Sequence, residues 1–261
     1  MMRNLPSDIR DAARLFRRAP LFGAGAVLML ALGTGATAAI LSLADATLLR
    51  PLPIPDVDRV LQSTFSFSYL DFRDLTAEHR GFSQTAAWAY PPLAIEQGGD
   101  ALQVTGAVVS GDYFVLTGQQ PVAGRLLNRG DDVAGAPATA VMSERLWTRV
   151  YRRDPQLIGA VVTINRRPVT VVGISSAAFR GVSLQIAPEL FVNLVSLPDL
   201  TTGFYANPET MANRGRVFLT IGGRLADGIT IGQANEEARR VYYAHRNAKE
   251  KDTSGWFVPL L

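Results

Sequence analysis

Residues 19–44, APLFGAGAVLMLALGTGATAAILSLA, run for 26 residues without one charged side chain. A bilayer core about 30 Å thick is spanned by about 20 helical residues, so this segment is long enough to cross it with some tilt. No later stretch competes: 160–164 and 169–174 are apolar but of strand length, and Arg, Asn or Gly interrupts the sequence around them. The tail before it, 1–18, holds Arg3, Arg10, Arg14, Arg17 and Arg18 against Asp8 and Asp11, which accounts for the whole net charge of +3. The positive-inside rule then places the N-terminus in the cytoplasm, with Arg14, Arg17 and Arg18 as topology determinants, and the rest of the chain on the far side. Because everything after the tail is electrically neutral, nucleic-acid binding is not expected; that would need a basic face on the folded part.

Two other readings of this segment are weaker. Ala36-Thr37-Ala38 resembles a signal-peptidase site, but Ile40, Leu41 and Leu43 carry the apolar pattern past it. Gly33-Thr34-Gly35-Ala36-Thr37-Ala38 formally fits a dinucleotide fingerprint, yet no strand precedes it. Ala31, Gly35 and Ala39 recur every fourth residue, with Gly33 and Thr37 beside them. Small residues at that spacing let helix backbones approach closely in lipid, so these three form a candidate helix-packing stripe. The alternative is the general abundance of Gly and Ala in membrane helices.

Residues 7–18 read as a basic amphipathic helix lying along a headgroup surface. The segment 50–56, with Pro51, Pro53 and Pro55, cannot continue a helix and reads as a stiff linker. Beyond it the pattern predicts strands at 59–65, 85–89, 93–96, 102–109, 138–142, 160–164, 169–174, 189–194 and 216–225. Helices are predicted at 69–78 behind a Ser66 or Ser68 cap, at 111–116, at 144–151 behind Ser143, and from Thr230 to about Ala248. Gly98-Gly99-Asp100 and Asn165-Arg166-Arg167-Pro168 read as hairpin turns. Mixed elements without regular alternation make the fold class α+β.

Little in the sequence carries chemistry. With no Cys there is no thiol nucleophile and no zinc-thiolate site. The two histidines, His79 and His245, read as surface residues, with no G-x-S-x-G nucleophile to serve. Asp71, Asp74 and Glu78 share one helix face, a pattern that suits a metal or a carboxylate pair; the other reading is a solvated acidic face answered by Arg73 and Arg80. Asp131-Asp132 lacks the alternating oxygens of a calcium loop, and no Walker A sequence is present. Tyr69, Phe72, Phe82, Trp88, Tyr113, Phe114 and Trp147 lie on separate elements and read as core. No catalytic, cofactor-binding or metal residues are expected.

The run LFRRAPLFGAGAVLMLALGTGATAAILSLADATLLRPLPIPDVDRV, 15–60, resembles the opening of MacB/FtsX-like ABC-transporter permeases, in particular the large duplicated ones common in acidobacteria. The resemblance continues in order through Tyr69–Asp74, Gly106–Gly124, Met142–Trp147, Asp154–Gly159, Val171–Ile174, Gly223–Leu225 and Gly228–Ala234. It implies one N-terminal transmembrane helix followed by a two-lobed periplasmic core domain, in which a porter-like α+β lobe (about 57–110 and 214–250) carries a β-rich insertion. The implied division is a cytoplasmic segment 1–18, a transmembrane helix 19–49, a linker 50–56, the core domain 57–250 and a tail 251–261. The implied function is that of a permease in the inner membrane, coupling motion between membrane and periplasm without catalysis of its own. ATP hydrolysis would belong to a separate ABC ATPase. The family carries three further membrane helices after the core, so the resemblance also implies a truncated or split product, with the remaining helices or a second permease half as partners, besides membrane lipid. The second reading is a membrane-anchored periplasmic binding or adaptor module acting without an ATPase, and a third is a signal-anchored hydrolase.

Overall fold

The computed structural model of the chain describes residues 20–44, 53–183, 185–246 and 256–260. They fall into two units, 1–51 and 52–261, each taken by itself. In the first, helix α1 (Pro20–Ala44) is 25 residues long and carries no acidic or basic residue. Side chains are described for part of it, the longest continuous run being 27–39, and among the described residues no helix is long and apolar enough to cross a membrane. The basic tail with Arg14, Arg17 and Arg18, the amphipathic segment 7–18 and the linker's first half lie outside the described residues.

The second unit contains, in chain order, β1 (Val60–Ser63), α2 (Tyr69–Glu78), β2 (Phe82–Ala89), β3 (Leu93–Gln97), β4 (Asp100–Val104), β5 (Gly106–Val109), α3 (Tyr113–Leu116), β6 (Pro121–Gly124), β7 (Thr139–Ser143), α4 (Glu144–Tyr151), β8 (Val161–Ile164), β9 (Arg167–Ser175), β10 (Leu190–Asn193), α5 (Leu197–Leu200), β11 (Thr220–Leu225), α6 (Ile231–Arg246) and β12 (Phe257–Pro259). One mixed sheet joins the strands in the order β12-β1-β11-β2-β5-β10-β7-β9-β8-β3-β4, with β6 on β9. The pairs β5–β10 and β7–β9 are parallel. The sheet runs without a break across the division between the two expected lobes, because β5 of one pairs with β10 of the other.

Local chemistry explains the helix starts. The Ser68 hydroxyl accepts the Asp71 amide at 3.1 Å while the Asp71 carboxylate accepts the Ser68 amide at 3.0 Å, a reciprocal cap that starts α2. Ser143 does the same one-sidedly for α4, accepting the Leu146 amide at 3.2 Å. At the β8–β9 turn Asn165 and Arg166 both have positive φ, 48° and 66°, the backbone a two-residue hairpin demands. Asn165 also donates to the Leu200 carbonyl at 2.7 Å and accepts the Ala94 amide at 2.8 Å, tying the turn to its neighbours.

The central strands are buried on both faces, which is why they read as unbroken apolar runs. On β5, Val108 belongs to one core while Ala107 and Val109 belong to the other. The same alternation holds on β7, with Ala140 and Met142 against Val141, and on β10, with Leu190 and Val192 against Phe191. Each large side chain so buried contributes about 1.5–3 kcal/mol. Six of the seven aromatics read as core are so, with Phe72, Phe82 and Trp147 on one side and Trp88, Tyr113 and Phe114 on the other; Tyr69 is only partly buried, at the edge of the first.

Two expectations need correcting. The single strand expected at 102–109 is two, β4 and β5, since the chain leaves β3 at Thr105 to pair with β2 and β10. The expected tail 251–261 includes β12, which pairs with β1; Trp256 and Phe257 are buried, and Asn235 of α6 clasps the Phe257 backbone through its amide at 2.7 and 3.0 Å. In the linker, Ile54 is buried in the core beside α3.

Candidate functional site

Helix α1 presents Leu28, Met29, Leu30 and Leu32 at 64%, 77%, 68% and 64% exposure, far above what a water-soluble surface usually carries. Its hydroxyls are satisfied inside the helix: Thr34 donates to the Leu30 carbonyl at 2.7 Å and Thr37 to the Gly33 carbonyl at 2.8 Å. Ala31, Gly35 and Ala39 are exposed, and a Cβ built on Gly35 meets nothing within 4 Å.

In the second unit the acidic face of α2 is not the solvated one expected. Asp71 is buried at 2% exposure, and its partners are neither Arg73 nor Arg80. Arg246 of α6 reaches it with Nη2 to Oδ2 at 2.6 Å and Nε to Oδ1 at 3.1 Å, and Arg214 adds Nη1 to Oδ1 at 3.1 Å. Arg214 also pairs with Asp74 at 2.6 Å, and His245 meets Glu78 at 2.6 Å. Burial pushes the Asp71 carboxyl up, but the bonds from Arg246 and Ser68 outweigh it and hold it below its ordinary value. The three carboxylates do share one face: Asp71 and Glu78 tie α2 to α6, and Asp74 ties it to Arg214 in the segment before β11. Among the described residues no group of three or more metal-ligating side chains converges on one point.

His79, expected at the surface, is buried at 5% exposure where α2 ends. Its Nδ1 accepts the Phe82 amide at 3.1 Å, so the proton sits on Nε2, which donates to the Ala234 carbonyl at 2.9 Å. Burial lowers its pKa. A folded-state value below the unfolded one means stability that is present above about pH 6.5 and lost as pH falls through the folded value. Chemical denaturation between pH 7.5 and 4.5 is expected to show that loss in the native chain and a flatter profile in His79→Gln; identical slopes would refute the assignment. Neither His79 nor His245 meets a nucleophilic hydroxyl, so neither forms a catalytic triad among the described residues.

These residues were missed for a simple reason. Arg214 and Arg246 lie 143 and 175 positions from Asp71, and no local pattern marks them.

The sequence matches the family model of the MacB-like periplasmic core domain over residues 24–241. No curated protein matches it closely enough to count as a relative. Among solved structures the fold is shared with the periplasmic region of MacB from Actinobacillus actinomycetemcomitans (TM-score 0.58, 14% identity, covering 79% of this chain and 89% of that one). It is shared with the extracellular domain of the noncanonic ABC-type transporter YknZ from Gram-positive bacteria (TM-score 0.56, 14% identity, 76% and 97%). A domain of a putative permease protein from Porphyromonas gingivalis is similar as well (TM-score 0.54, 14% identity, 79% and 92%). With most of its length matched, from within α1 to α6, the chain belongs to the MacB-like periplasmic core domain family, the periplasmic part of ABC-transporter permeases.

Proposed function

We propose that this chain is a non-catalytic permease component, anchored by residues 19–44 as a single span with Arg14, Arg17 and Arg18 on the cytoplasmic side and the 52–261 unit outside. The observation that carries the reading is the extent of the family match, which begins inside α1 and so takes helix and domain together. The sequence supports it: 26 uncharged residues, at 1.5 Å each, make a helix of about 39 Å, longer than the bilayer core. In this reading the domain's conformational changes are coupled through the span to a separate ABC ATPase, and the stripe Ala31, Gly35 and Ala39 packs against helices of a partner permease segment. The Asp71 clamp keeps the sheet and its helices rigid enough to transmit motion instead of absorbing it.

The absence of cysteine makes the topology directly testable. Single replacements Val133→Cys, a position 54% exposed, and Arg10→Cys would be probed in intact cells with a membrane-impermeant maleimide. The first is expected to label at once and the second only after permeabilisation, with the protein retained in the membrane after alkaline carbonate extraction. Replacing Arg14, Arg17 and Arg18 with Glu is expected to invert or abolish that pattern. Release into the carbonate supernatant, or protection of residue 133, would defeat the reading.

A further inference from the structure

A cleft of about 420 Å³ opens between α2 and the segments that follow β5 and precede β7, within the range of small-molecule sites. Tyr69, Phe72 and Ala77 give it an apolar wall, and Arg73, Asp112, Arg129 and Asp132 supply its charges. The charges are unequal. Arg129 Nε binds both Asp112 oxygens, at 2.8 and 2.7 Å, so this pair neutralises itself. Asp132 has no such partner: its oxygens accept only the Gly111 amide at 3.2 Å and the Val195 amide at 3.1 Å. Other sequestered carboxylates of this unit each hold an arginine: Asp71 at 2.6 Å, Asp131 at 2.6 Å, Glu144 at 2.8 Å and Glu189 at 2.7 Å. Among the described residues Asp132 lacks a cation. Burial, with the neighbouring Asp112 and Asp131 adding to it, raises its carboxyl to about 6 despite the two amides. Opposite in sign, Arg73 is exposed and bound to no described acid. The Tyr69 phenol feels both, Asp132 raising its pKa and Arg73 lowering it, against a larger upward effect of burial.

An uncompensated anion and an uncompensated cation on one partly apolar cleft specify a ligand with the reverse charges. We propose that this cleft binds a small zwitterion with an apolar body, a free amino acid or dipeptide, its ammonium on Asp132, its carboxylate on Arg73 and its side chain against Tyr69, Phe72 and Ala77. The site lies wholly within the 52–261 unit and is independent of the membrane reading. Asp132 is the more sequestered of the two charges, so its pair with the ammonium is the stronger one, and the apolar wall takes the ligand's side chain.

The test is equilibrium dialysis of the full chain in detergent micelles against labelled glycyl-phenylalanine, glycyl-phenylalaninamide, which lacks the carboxylate, and N-acetyl-glycyl-phenylalanine, which lacks the ammonium. One saturable site is expected for the free dipeptide, with each blocked form about tenfold weaker or more. Asp132→Asn is expected to weaken the free dipeptide and the amide about tenfold while leaving the acetylated form unchanged; Arg73→Gln is expected to do the converse. No saturable binding of the free dipeptide, amide binding as tight as the parent's, or losses indifferent to which charge was removed would each overturn the proposal. Because Arg73 is exposed, its variant and the blocked ligands decide the matter even if Asp132→Asn does not fold.

Discussion

Asp71→Ala is expected to lower the stability of the 52–261 unit by about 3–5 kcal/mol, among the largest losses any side-chain truncation here would give. Three consequences combine. The Asp71 side chain is 1% exposed and the arginines it holds are 28% and 22% exposed, so its removal leaves two guanidinium groups half-sequestered without their anion. The carboxylate's half of the reciprocal cap is lost, leaving the Ser68 amide without its acceptor at a cost of about 1 kcal/mol, while the Ser68 hydroxyl still accepts the residue-71 amide. The link between α2 and α6 loses its central bonds while the weaker His245–Glu78 contact remains. Asp71→Asn separates these terms: it keeps the volume and an acceptor for the Ser68 amide but not the charge, and should recover about 1 kcal/mol. Adding Arg246→Met to Asp71→Ala should recover part of the rest by removing a stranded charge. Urea denaturation with an unchanged m-value is the measurement; a loss under about 1 kcal/mol would show that water already screens the clamp. The pH dependence has a definite sign. A carboxyl held below its ordinary value contributes stability that is present above about pH 4 and lost as pH falls through the folded value, and Asp71→Asn should lack that acid limb.

The sequence revealed most where a structure is decided locally. The bounds 69–78 and 144–151 of α2 and α4 were readable because a serine hydroxyl in front of each supplies the bond the first turn lacks. The hairpin at Asn165-Arg166 was readable because asparagine tolerates positive φ. The carboxylate face of α2 was visible too, by its spacing, but not what it is for. Its partners come from the far end of the chain, and nothing in a helical wheel distinguishes a solvated acidic face from one clamped by distant arginines. His79 was misread for the same reason: a helix-terminal histidine is ordinarily wet, and its burial depends on α6 packing over it. Asp132 looked inert because it matched no metal loop. Its distinction, a sequestered carboxylate without a cation, exists only after the other sequestered carboxylates have been paired in space. The strand β12 was hidden by its length, three residues, and by pairing with a strand nearly 200 positions earlier.

Gly173→Ala is expected to be comparably damaging, for a reason that involves no charge. Strand β9 is paired on one edge with β7 and on the other with β6, and the register against β7 slips at Val172. That bulge turns the Val172 carbonyl toward the Arg125 amide, 2.9 Å away, and draws the Arg125 backbone onto Gly173. A Cβ at 173 would stand 2.0 Å from the Arg125 oxygen and 2.7 Å from its nitrogen, both main-chain atoms that no rotamer change can move. Relief requires β6 to lift from β9, which breaks the Arg125–Val172 bond and pulls Arg125 from the two-point grip on Asp131 at 2.6 and 2.7 Å. The expected loss is about 3 kcal/mol or more, a fall in Tm of about 6–12 °C for a unit of this size. Gly135→Ala is the control: φ there is +80° but a Cβ meets nothing within 4 Å, so only backbone strain of about 1–2 kcal/mol applies. Thermal melts of the two variants should therefore rank Gly173→Ala well below Gly135→Ala. Equal melting points would mean that the β6–β9 contact yields easily, and that the glycine is needed for chain flexibility and not for the close approach of two backbones.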